Sequence, residues 1–185
     1  MNKMVIITVL LLSLNVGISR ALVVADFDSG TKPNNVGGEF GAWDKDPSDM
    51  TQYAREFFSK DNRQAGEGYS MTIEYDVDSP NAAFNGFWLQ FNNIDASAFT
   101  KVVFWAKADA VKGCTPRFKI ELKTEGERGA FYVDGLTSEW TKFEIPLESF
   151  NISDLSALSE FVVVFEDHTS LPKTGILYLD DISLE

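Results

Sequence analysis

Beyond its first twenty-one positions the chain alternates apolar and polar residues with a period of two, and the stretch 117–134, RFKIELKTEGERGAFYVD, shows this best. Phe118, Ile120 and Leu122 fall on one face, and Arg117, Lys119, Glu121 and Lys123 on the other. That period marks a strand with one face in a core and one in water. The polar, glycine-containing stretch 124–129 predicts a turn. Phe131 and Val133 then return to the apolar face, while Tyr132 and Asp134 look outward. The result is a hairpin whose outer face carries charges and an aromatic ring.

The same reading predicts strands over 22–27, 51–58, 69–77, 86–92, 101–108, 140–146, 160–167 and 176–184. In 86–92, Phe87, Leu89 and Phe91 point inward, and Trp88 and Gln90 outward. In 101–108, Val102, Phe104 and Ala106 oppose Trp105, which reads as packing, as do Tyr69 and Tyr75. The stretch 31–49 predicts a loop, because Pro33, Asn34, Asn35, Gly37, Gly38, Gly41 and Pro47 interrupt it; Phe40 and Trp43 ride in that loop. One helical turn is expected in 93–99 and a short helix in 153–158. No segment is long and amphipathic enough to cover a sheet as a helix. Nine or ten strands joined by connections of unequal length predict an all-β, two-sheet β-sandwich, a jelly roll rather than an up-and-down barrel.

The first twenty-one residues follow another logic. Lys3 precedes an apolar run over 5–12, broken only by Thr8, and Ser19-Arg20-Ala21 supplies small residues for cleavage. Residues 1–21 read as a secretory signal peptide, too short to span a membrane convincingly. That leaves one domain, 22–185, secreted or periplasmic and not inserted in a membrane once the leader is removed. Losing Lys3 and Arg20 takes the formal charge from -12 to -14. Such an acid excess repels phosphate backbones and anionic membrane surfaces, which excludes nucleic acid as a partner. Cys114 is the single cysteine, so no internal disulfide forms, and no neighbouring base activates it. One histidine, His168, gives neither a zinc site nor a catalytic triad, and no G-x-S-x-G turn is present.

Six segments, VVADFDSG, NNVGGEFGAW, RFKIELK, SEWTKFEIPLESF, EFVVVFED and GILYLDDISL, together carry a resemblance. Across nearly all of 22–185 the chain resembles the galactose-binding-domain-like jelly roll of carbohydrate-binding modules. The nearest families are the family 11 modules and the complex I intermediate-associated-protein domain. The resemblance implies a non-catalytic sandwich with a sugar site on its concave sheet or in its loops, and a structural calcium joining the first and last strands. It also implies that Trp140, in the pattern W-x-x-[aromatic]-x-[apolar]-Pro, belongs to the core.

Residue chemistry supplies candidates for both sites. Asp26 and Asp28 lie two apart on the first strand, and Asp180 and Asp181 stand together at the end of the last. A hard cation with several oxygen ligands would relieve their repulsion, and Asn34 and Asn35 can add oxygens. The alternative is a set of solvated strand ends. A sugar needs aromatic platforms for its C–H faces and planar polar groups for its hydroxyls. Trp88 and Tyr132 are the stacking candidates; Gln90, Arg117 and Glu121 would take hydroxyls; Trp43 would form a wall. The alternative is a solvated face of charge pairs. Three functions follow: binding of a carbohydrate polymer such as a β-glucan, holding of a protein partner in an assembly role, or glycoside hydrolysis by carboxylates such as Glu121, Asp134 and Glu166.

Overall fold

A computed structural model describes residues 21–64 and 66–185. The alternation becomes eleven strands: β1 (Leu22–Ala25), β2 (Phe40–Asp44), β3 (Tyr53–Ser59), β4 (Ser70–Asp76), β5 (Phe84–Ile94), β6 (Lys101–Ala108), β7 (Arg117–Lys123), β8 (Arg128–Asp134), β9 (Thr141–Pro146), β10 (Leu158–Glu166) and β11 (Thr174–Leu184). They form two antiparallel sheets. Sheet I runs β3-β4-β11-β6-β9, with β1 also paired to β11; sheet II runs β2-β5-β10-β7-β8. This is the expected all-β sandwich. Consecutive strands such as β4 and β5 lie in opposite sheets, which an up-and-down barrel would not allow.

The core is the space between the sheets. Phe87, Leu89 and Phe91 of β5 are fully buried, as are Phe161, Val163 and Phe165 of β10 and Ile73 and Tyr75 of β4. Aromatic contacts bridge the layers: Tyr75 stacks on Phe165 at 3.8 Å, and Phe104 meets Phe161 edge-on at 5.7 Å. Burying each such ring contributes roughly 1.5–3 kcal/mol. Tyr75 is therefore packing, as expected, and its hydroxyl is satisfied by donating to the Pro172 carbonyl and accepting from the Thr115 N–H. Cys114 is buried beside it, and burial pushes its thiol up to about 12.

Several local expectations need correction. The stretch read as a loop contains β2, paired with β5 from Phe40↔Leu89 to Asp44↔Asn85. Its glycine does not break the strand, because Phe40 is buried in the core and anchors it. The free edge of β2 is also tied down: the Ala42 N–H donates to Glu56 Oε2 at 3.0 Å. Neither helical turn forms in 93–99 or 153–158; a 3₁₀ turn stands instead at Leu147–Phe150. Asp95 and Asp154 accept the N–H groups of Ser97 and Ser156, which favours turns over helix. Trp140 is not in the core. It is half-buried on the outside, with Lys107 Nζ 5.5 Å from its ring centroid. The expected leader, 1–21, lies outside the described residues except for Ala21.

Candidate functional site

The outer face of sheet II is built by register. Gly41, Trp88, Val162, Glu121 and Ala130 stand side by side across β2, β5, β10, β7 and β8. The next row is Trp43, Gly86, Val164, Lys119 and Tyr132. Between the two flanks lies a cleft of about 650 Å³. Val162 and Val164 form its floor. Trp43, Phe84 and Trp88 form one wall, and Lys119, Glu121, Lys123, Arg128, Glu160 and Glu166 the other, with Gln90 completing the lining. The two middle outward positions of the central strand, Val162 and Val164, are buried because side chains from both walls cover them, and Glu160 and Glu166 stand on the same face toward its ends.

The aromatic wall is half-exposed and held from behind. Trp43 meets Phe84 edge-on at 5.9 Å, and Lys45 Nζ sits 5.3 Å from the Phe84 centroid. The Trp43 indole nitrogen is buried without a hydrogen-bond partner. Gln90 Oε1 accepts the Glu39 N–H at 3.2 Å, which fixes the amide and leaves its NH₂ as a donor.

The ionic wall is knitted to itself. Lys119 Nζ donates to Glu166 Oε1 at 2.6 Å and lies 3.2 Å from Glu121 Oε1. The Tyr132 hydroxyl donates to Glu166 Oε2 at 2.8 Å. Lys123 pairs with Glu160 at 2.8 Å, and Arg128 lies 3.8 Å from Glu121. Burial pushes the Glu166 carboxyl up, but the hydrogen bonds from Lys119 and Tyr132 outweigh it and hold it below its usual range. The same bond to Glu166, together with burial, raises the Tyr132 phenol. The Lys119, Glu121 and Glu166 side chains are only 16%, 9% and 12% exposed. Removing the shared cation leaves two nearly buried carboxylates facing each other with only the distant Arg128 and the Tyr132 hydroxyl to compensate them, which is costlier than losing a surface pair. Lys119→Met is expected to lose about 2–3 kcal/mol of stability by urea melts at pH 7, with part of it recovered near pH 4, because burial favours the neutral form of Glu166 once the lysine that lowers it is gone.

Of the six residues expected to bind ligand, Trp88, Gln90, Glu121 and Trp43 line the cleft. Arg117 and Tyr132 share its face but stand beyond its lining, toward the β8 edge. Arg117 Nη1 donates to both oxygens of Asp134 at 2.9 and 2.8 Å, and its guanidinium covers the Tyr132 ring at 4.6 Å. Phe84, Lys123, Arg128 and Glu160 were not anticipated. Phe84 has the same parity as Trp88, so extending the strand by two residues would have found it; Asn81 and Asn85 disguised that extension as loop.

The four expected metal ligands gather where β1 meets β11, in a geometry unlike the expected one. β1 ends at Ala25, and Phe27 takes φ 54°, so Asp26 and Asp28 sit in a turn rather than on a strand face. Asp180 and Asp181 lie within β11 at a bulge, where Asp181 takes φ 49°. Asp26 accepts from Asn35 Nδ2 at 2.6 Å and from the Asp28 N–H at 3.1 Å. Asp180 accepts from the Gln64 and Asp181 N–H groups, each at 3.0 Å. Burial pushes Asp180 up to about 7, with the Asp181 and Asp28 charges adding to it. Burial and the charges of Asp28 and Asp26 raise Asp181. The donors are hard oxygens under mutual repulsion, the chemistry a calcium ion suits. Among the described residues, however, no group of three or more His, Cys, Asp and Glu side chains is assembled to hold a metal.

No protein-family model and no curated protein matches the sequence. Solved structures do match. The family 11 carbohydrate-binding module of the cellulosomal cellulase Lic26A-Cel5E of Clostridium thermocellum aligns at 17% identity and a TM-score of 0.64, covering 89% of this chain and 94% of that one. A family 11 module from Clostridium thermocellum in complex with a beta-1,3-1,4-mixed-linked tetrasaccharide aligns at 16% identity and a TM-score of 0.65, with the same coverage of both chains. An exo-beta-agarase aligns at 11% identity and a TM-score of 0.61, over 88% of this chain and 24% of that one. At these identities the likeness concerns architecture: the chain has the two-sheet jelly-roll fold of carbohydrate-binding modules.

Proposed function

We propose that this protein binds a neutral polysaccharide, of the β-glucan class, in the cleft on sheet II, and that it does so outside the cytoplasm and without catalysis. The observation that carries this is the cleft's division into an aromatic wall and a satisfied ionic wall over an apolar floor. Sugars present C–H faces to rings and hydroxyls to charged or amide groups. The lining holds three cations and three carboxylates, so it is formally neutral on a chain of charge -12. A polyanionic glycan would meet the field of that acid excess with no surplus cation in the cleft. The neighbour in complex with a beta-1,3-1,4-mixed-linked tetrasaccharide supports the ligand class by fold.

Hydrolysis is the weaker reading. A general acid needs a raised carboxyl pKa, and Glu166 is held low by Lys119 and Tyr132. Calcium, in this reading, is structural: it would neutralise the aspartates at the β1–β11 junction and take no part in the cleft.

Affinity electrophoresis of the protein against soluble β-glucans and a polyuronate tests the proposal. Retardation by a neutral β-glucan, with none by the polyuronate, is the expected result. A folded protein that no polymer retards would overturn it and direct attention to a protein partner; release of reducing sugar would favour the hydrolase.

A further inference from the structure

Gly41 stands in the edge strand of the site, opposite Trp88 in register, and it is buried although its strand has solvent on one side. The Trp88 indole is what buries it. A Cβ added at position 41 would lie 3.3 Å from Trp88 Nε1 and 3.4 Å from Cε2 and Cζ2. Three atoms of one ring system at nearly equal distance mean that the indole lies flat over the Gly41 backbone. One face of Trp88 is thus spent on β2.

Glycine is a poor strand residue on its own account, because it lacks a side chain to pack and costs backbone entropy. Its backbone here is not in the left-handed region, so conformation does not require it. The indole favours it: a Cβ at 41 already touches the ring at 3.3–3.4 Å, and a side chain larger than alanine would extend into the space where the ring rests. We propose that Gly41 is a positioning residue for the glycan site, setting the tilt of the Trp88 platform and with it the width of the cleft. This rests on the cleft being the sugar site. Gly41 touches no ligand and acts through Trp88, and β2 as a whole works as a backing plate. It supplies Trp43, its flank fixes the Gln90 amide through the Glu39 N–H, and Glu56 clamps it from sheet I through Ala42.

Substitution should therefore be graded by size. Alanine meets the ring at a separation that a shift of a few tenths of an ångström relieves. Valine does not fit without lifting the indole, yet valine is a better strand former than glycine, so the fold is kept. Gly41→Ala is expected to weaken binding of a mixed-linkage β-glucan about threefold and Gly41→Val at least tenfold, with melting temperatures near that of the parent. A purely structural glycine would give the reverse: lower melting temperatures and unchanged affinity.

The decisive readout is the cycle with Trp88→Ala. In that background Gly41→Val has no ring to displace and should leave residual affinity unchanged. An equal loss with and without Trp88 would overturn the inference, as would an unchanged affinity for Gly41→Val. If the parent protein binds no glycan, the functional proposal fails by itself, and near-UV circular dichroism still decides the inference. The Trp88 band, taken as the difference from Trp88→Phe, should change in Gly41→Val; an identical band would overturn the positioning role.

Discussion

Trp88→Ala is expected to lower affinity for a neutral β-glucan by about five- to a hundredfold, while the protein stays folded. Trp88 projects from β5, and its sequence neighbours Phe87 and Leu89 are fully buried on the opposite face. Removing the indole therefore leaves the core register untouched, and the residue's half-buried position limits the stability loss to about 1–2 kcal/mol. The binding loss is larger in proportion. Stacking of a planar ring against a ligand contributes about 1–3 kcal/mol, and each 1.4 kcal/mol is about tenfold in affinity. Tyr132→Ala makes the control. Arg117 covers one face of its ring and the residue stands outside the cleft lining, so its removal should reach the cleft mainly through the hydrogen bond to Glu166. Titration calorimetry of both variants separates the cases. A Tyr132 effect as large as the Trp88 effect would mean that Arg117 swings away on binding and that the site extends to the β8 edge.

What could be read before the fold was known follows from what periodicity encodes. Period two fixes the face on which a residue stands, so Trp88, Gln90 and Glu121 were assigned correctly to an outer surface. It does not fix which strands become neighbours. That Lys119 would bridge Glu121 and Glu166 depends on β7 lying beside β10, 35 or more residues later in the chain. The same blindness hid the covering of Tyr132: Arg117 and Tyr132 both look outward, and only the β7–β8 register shows that one lies on the other. β2 was missed because its glycine and its flanking turn residues outweighed a short apolar alternation. The residue that disguised the strand is the one on which the Trp88 ring rests. The placement of the aspartates differs from the expected one for a third reason. Alternation assigns Asp180 and Asp181 to opposite faces, but the bulge with its left-handed residue breaks the alternation and brings both within reach of Asp28.

That cluster yields the second large effect. Without calcium, the protein should be less stable at pH 7 than near pH 4.5, the opposite of ordinary acid denaturation. The sign follows from linkage. Asp180 titrates near its usual 3.8 in the unfolded chain and at about 7 when folded. Between those values the folded state binds more protons, so stability falls as pH rises, and the loss is complete above about pH 7. Asp28 and Asp181 are raised as well and act in the same direction. Below about pH 4 the lowered carboxylates Asp109 and Glu166 reverse the trend. After allowance for solvent screening the fall amounts to about 2 kcal/mol. Asp180→Asn removes the ionisation, so it should flatten the slope and stabilise the calcium-free protein at pH 7.5. The gain is reduced by about 1 kcal/mol, because an amide accepts on one oxygen only and both Asp180 oxygens accept N–H groups. Calcium should have the opposite preference. A cation among ionised aspartates binds only the folded state, so calcium at a hundred times its dissociation constant would raise stability by about 2.7 kcal/mol at pH 7.5 and abolish the slope. In Asp180→Asn that response should largely vanish. Thermal melts of both proteins at pH 4.5 and 7.5, with calcium and with a chelator, give the comparison. A slope that calcium does not alter would make the cluster a buried acid strain without a metal; no slope at all would mean that burial of Asp180 carries no electrostatic strain in solution.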